Sequence, residues 1–93
     1  MSTVYARELT QLVDQIHAFR RRDLSLGELQ SALWEASGVV ASHEERVLRE
    51  ALRHAEAQLE AIQFTVEEAD VFAEALKVAD AVEARLRAAM PPP

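Results

Sequence analysis

Arg20, Arg21 and Arg22 head the stretch RRRDLSLGELQSALW (20–34) and are the chain's only run of three cations. Three adjacent guanidinium groups suit an anion such as phosphate. Phosphate sites, however, draw on a glycine-rich loop or on aromatics interleaved with the cations, and neither accompanies this run. In the last turn of a helix the same arginines meet the negative end of the helix dipole. That reading makes them punctuation between two helices, balanced at one pole of a bundle by Glu67, Glu68 and Asp70.

Three histidines raise the question of a metal. His17 follows Asp14 by three residues and His54 follows Glu50 by four, so each pair shares a helix face. Di-metal bundles use Glu-x-x-His repeats on facing helices, and this chain has none. HEERV, starting at His43, lacks the second histidine of a zinc-protease helix. Without cysteine there is no thiolate ligand and no disulfide. The expectation is therefore no metal, no cofactor and solvent-facing histidines. Catalysis finds no footing either. Ser25, Ser42 and Thr65 fall at helix-cap positions, while Ser31, Ser37, Thr3 and Thr10 stand outside any motif. No nucleophile elbow and no carboxylate pair in an apolar setting is present, so the chain reads as a non-enzyme.

The acids are more informative. Between His54 and Ala84 stand Glu56, Glu60, Glu67, Glu68, Asp70, Glu74, Asp80 and Glu83, against Lys77 alone. The first 22 residues carry four arginines and two acids, and the whole chain has a formal charge of −6. Such a balance argues against direct nucleic-acid binding or an anionic membrane, because both require clustered cations. A continuous negative surface on two adjacent helices would instead speed encounter with a basic protein and orient it. Glu56, Glu60, Glu67, Asp70 and Glu74 are the expected contacts. Trp34 is their candidate anchor, roughly 80–100° off the centre of its helix's apolar stripe. It would otherwise lie over that helix as a lid. A solvated outer face remains the alternative reading of the charges.

Four helices must position these residues. Apolar residues recur at steps of three and four, nothing alternates as a strand would, and the prolines are confined to 91–93. Tyr5, Leu9, Leu12, Val13, Ile16 and Phe19 predict a helix over 3–22. Ser25 with Glu28, Ser42 with Glu45 and Thr65 with Glu68 have capping-box spacing. They predict helix starts near 26, 43 and 66. The second helix then runs over 26–37 with Gly38 as its stop, the third over 43–62 and the fourth over 66–89. Leu24 and Leu29 are spaced as a hydrophobic staple. Short connections make sequential helices antiparallel, so the expectation is all-α: an up-down four-helix bundle with a short second helix. It would be a single domain over 1–90 followed by a proline tail, 91–93. Val71 and Val78 widen the fourth helix's apolar face and leave open a monomer or a homodimer through that helix. MSTVYARELTQ lacks the cationic start and apolar run of a signal peptide, and no stretch has the apolar length of a membrane span. A cytoplasmic location is the expectation.

Leu9, Leu12, Val13, Ile16 and Phe19, then a turn, then Ser25, Glu28 and Leu29 form the pattern L-x-x-L-V-x-x-I-x-x-F, turn, S-x-x-E-L. This resembles small bacterial self-protection proteins of the colicin D immunity type and related helical proteins encoded beside bacterial toxins. The likeness spans about the first 30 residues and rests on core and capping positions. Its turn carries RRRD where that pattern has glycine or another small residue. The resemblance implies a compact helical scaffold that blocks a basic, tRNA-cleaving toxin by imitating its substrate. No toxin-contact motif of the family is matched, so no site residue follows from it. A helical interaction or dimerisation module without toxin-inhibiting activity is the alternative.

Overall fold

Leu9, Leu12, Val13, Ile16 and Phe19 follow one stripe of a 3.6-residue helix, and all five are buried. Burying such a stripe against others like it is what drives the chain into a bundle. The computed structural model describes residues 6–41 and 46–89. They form α1 (Ala6–Arg20), α2 (Leu26–Ala41), α3 (Arg46–Thr65) and α4 (Glu68–Ala89), with no strand among the described residues. Each helix packs on the next and α1 returns to α4, which is the ring of contacts of an up-down four-helix bundle. The α2–α3 interface is the most extensive and the α1–α4 seam the thinnest. One core joins all four helices: Leu9, Leu12 and Ile16 meet Leu29 and Leu33, Leu52 and Leu59, and Leu86. Ala32, Ala36, Ala55, Ala75 and Ala79 fill the positions between them, where small side chains let the backbones approach. No described helix is long and apolar enough to cross a membrane.

Punctuation follows the sequence at one of the two described boundaries. The Ser25 amide donates to Glu28 Oε1 at 2.9 Å, and the Glu28 amide donates to Ser25 Oγ at 3.1 Å. The Ser25 backbone N–H, and after it the Ser25 side chain, hold the Glu28 carboxyl below its usual range. Leu24 is partly buried against the core to which Leu29 belongs. At the second boundary the capping box does not form. The Thr65 hydroxyl donates to Ala61 O at 2.7 Å inside its own helix, and the Val66 amide donates to Ile62 O at 3.0 Å. α3 thus runs three residues past the expected end. α4 starts at Glu68, where the Asp70 amide donates to Glu67 O at 2.8 Å. The Ser42–Glu45 box, Tyr5 in the first stripe and the tail at 91–93 lie outside the described residues.

The second helix is not short. It has 16 residues against 15 in α1, and Gly38 lies within it rather than ending it. The reason is the stripe Leu29, Leu33, Ala36 and Val40, in which Val40 is completely buried. Packing of that last turn outweighs the weak helix propensity of glycine. Ser37, also fully buried, is accommodated because its hydroxyl donates to Trp34 O at 2.7 Å. A Cβ added at Gly38 meets nothing within 4 Å, and no glycine has a positive φ. Gly38→Ala should therefore stabilise the domain by about 0.5–1 kcal/mol, read as a rise in the midpoint of urea unfolding. A lower midpoint would mean that this helix turn is not formed in solution.

Candidate functional site

Charge in this bundle is sorted along its helices. On the α1–α4 seam, Glu83 is only 15% exposed and gathers two guanidinium groups and a histidine ring. His17 Nε2 lies 3.1 Å from its Oε2, Arg20 Nη2 2.8 Å from its Oε1, and Arg87 Nη2 2.8 Å from its Oε2. Arg20 also pairs with Asp80. The Arg20 hydrogen bond, helped by those of His17 and Arg87 and opposed by burial, lowers the Glu83 carboxyl to a pKa of about 2. Arg20 was expected beside Glu67, Glu68 and Asp70. It binds Asp80 and Glu83, ten or more positions further along α4, while Phe19 packs on Phe72 in the first turns of that helix. Arg21 pairs with its neighbour Asp23. The arginine run is thus largely used within the protein.

Arg22 does something different. The Arg22 amide donates to Phe19 O at 2.9 Å and the Asp23 amide to Ala18 O at 2.8 Å, the bond pair of a Schellman helix end. Arg22 stands at the left-handed position of that motif with φ 66°, where glycine is the unstrained residue. Its guanidinium lies 3.8 Å from the centroid of the Phe72 ring, and Phe72 in turn packs on Phe19 with centroids 5.2 Å apart. A left-handed non-glycine residue costs about 1–2 kcal/mol, and a cation–π contact of this kind returns a comparable amount.

The six residues expected to form a partner-binding face fall into two groups. Trp34 and Glu56 line one surface depression on the α2–α3 seam, together with Ser31 and Glu35. Trp34 is 57% exposed and carries the Arg53 guanidinium 5.3 Å from its ring centroid. Glu60 is one turn further along the same edge of α3. Glu67, Asp70 and Glu74 instead follow one stripe at the start of α4. Since α2 and α4 flank α3 on different sides, the outer ridge of α3 separates Glu56 from the α4 acids. That ridge carries Phe64, 77% exposed and the most exposed large apolar side chain among the described residues. Phe64 was not singled out by its sequence context, although it sits 200° round the helix from Ile62 and so off the buried stripe. Lys77 pairs with Glu74 at 2.9 Å. Among the described residues Glu56, Glu60, Glu67, Glu68 and Asp70 hold no salt bridge.

His54 is exposed, and no group of three or more His, Asp or Glu among the described residues is placed to hold a metal ion. Val78, read as a possible dimer-seam residue, is buried in the chain's own core. Val71 is half-buried and lines an open groove of about 580 Å³ between the α1–α2 and α3–α4 turns. No known protein family, curated protein or solved structure matches the chain.

Proposed function

We propose that this protein is an immunity-like module that binds and blocks a basic protein partner, of the nuclease-toxin kind, through the acidic end of the α3–α4 hairpin. The observation that carries this reading is the partition of the acids. Asp80 and Glu83 are neutralised by the protein's own arginines, whereas Glu67, Glu68 and Asp70 at the start of α4, and Glu60 one turn before the exposed Phe64 on α3, form no salt bridge among the described residues. Acids at the start of α4 also favour its helix dipole, which accounts for their stability there without a salt bridge. Only two residues, Val66 and Glu67, join α3 to α4, so these carboxylates are held on a stiff hairpin. A fixed array of negative charge with an apolar centre matches what a cationic cleft requires of an inhibitor: long-range steering, then desolvated contact. Glu74 borders the array, and Glu56 with Trp34 forms a second patch across the α3 ridge.

The experiment replaces Glu67, Glu68 and Asp70 together by lysine and measures association with the basic protein encoded beside this gene. The association rate should fall roughly tenfold or more at low salt, and the wild-type salt dependence should disappear. Asp80→Asn, on the neutralised seam, should leave the rate unchanged. Equal rates for wild type and the triple variant would remove the proposal.

A further inference from the structure

The groove between the two turns combines features that the acidic face alone does not. Its floor is apolar, from Phe19, Leu24, Val66, Val71 and Phe72, and apart from the buried Phe19 these side chains are only partly covered. One wall is the Phe72 ring, already in contact with a guanidinium. Glu68 lines the groove and holds no salt bridge among the described residues. Its volume of about 580 Å³ falls among sites that enclose compact ligands, which suits a few side chains of an extended segment and not a packed helix.

We propose that this groove receives a short segment of the basic partner in which apolar residues alternate with arginine, and that Arg22 occupies the arginine position until that segment arrives. Three facts select this occupant. The apolar floor needs an apolar side chain. The Glu68 carboxylate in the groove wall, which forms no salt bridge among the described residues, complements a cation and disfavours an acidic or phosphorylated segment. The Phe72 face is chemically suited to a guanidinium, since it already holds one at 3.8 Å. Arg22 sits there through a backbone conformation that favours glycine, so the contact is held by the turn and can be exchanged without unfolding a helix. The proposal rests on the reading of a basic partner and adds where and how that partner is gripped.

The test titrates the isotope-labelled full chain with the blocked peptide acetyl-Gly-Leu-Arg-Leu-Arg-Gly-amide and follows backbone amide resonances. Its counterpart carries glutamate in place of both arginines. Saturable shifts are expected at Leu24, Val66, Val71 and Phe72, with the glutamate peptide at least tenfold weaker. Arg22→Gly keeps the turn in its preferred residue, removes the competing guanidinium and should bind the arginine peptide roughly two- to fivefold tighter. Equal binding of the two peptides, no shifts at millimolar peptide, or weaker binding by Arg22→Gly would each overturn the proposal. Shifts confined to Phe64, Glu67 and Asp70 would overturn it too, while leaving the acidic-face function intact.

Discussion

Leu59→Ala is expected to destabilise the domain by about 3–5 kcal/mol. Leu59 has no exposed surface and sits in the single core that joins all four helices. The cost of such a truncation depends on whether the surroundings can close over the missing volume. Here the small neighbours argue that they cannot. Ala32, Ala36, Ala55, Ala75 and Ala79 are buried with it, and alanine has no side-chain torsion with which to move into a void. A chain of this length has a stability on the order of 5–14 kcal/mol, so one truncation removes a large part of it. Urea unfolding should show a much lower midpoint with an unchanged slope, and the thermal midpoint should drop by about 15–30 °C. Leu59→Met, which conserves volume, should cost less than about 1.5 kcal/mol. An alanine effect below about 1 kcal/mol would contradict a close-packed core at this position.

The features legible in the sequence are those written locally. The α1 stripe, the Ser25–Glu28 box and the existence of four helices each depend on residues within a turn or two of one another. Gly38 and Thr65 mislead because each has a local alternative that tertiary contacts override. Val40 needs burial, which draws Gly38 into α2, and Thr65 finds an acceptor in its own helix at Ala61. The partner of Arg20 depends on how α1 packs along α4 and how far the guanidinium reaches, which no local pattern encodes. The same holds for the groove, whose lining comes from both turns and becomes contiguous only when the bundle closes. The acids were visible as composition, but their division into a neutralised seam and an unpaired hairpin end follows from where Arg20 and Arg87 reach. Phe64 could have been found from its angle on the α3 wheel. Arg22 could have been marked as the non-glycine residue in a turn where glycine is usual.

The stability of the α1–α4 seam should depend on pH through Glu83, and Glu83→Gln should abolish that dependence. The folded carboxyl titrates at about 2 against an ordinary value of 4.5, so between these values the unfolded chain binds more protons than the folded one. Stability from this group is therefore complete above pH 4.5, declines as pH falls towards 2, and is absent below. Unscreened, a difference of that size corresponds to about 3 kcal/mol. All three partners, His17, Arg20 and Arg87, are more than a third exposed, so water and salt reduce it to about 1–2 kcal/mol. Glutamine keeps the side-chain length and one carbonyl acceptor but carries no charge to pair with the two guanidinium groups. The variant should be less stable than wild type at pH 6, and the two should converge as the pH approaches 2. Measuring the difference between the proteins across that range cancels the titration of the exposed acids they share. Raising salt at pH 6 should narrow the gap. A gap that stays constant from pH 6 to 2 would show that Glu83 acts through its shape rather than its charge. The seam also bears on recognition, because α1 presents Arg22 and Phe19 to the groove and its contact with α4 is the thinnest in the bundle. Loosening it by acid or by Glu83→Gln should therefore disturb the Arg22–Phe72 stack before it disturbs Phe64 and the hairpin acids. Amide shifts at Arg22, Asp23 and Phe72 in the glutamine variant, with Glu60 and Phe64 unmoved, would register that order directly.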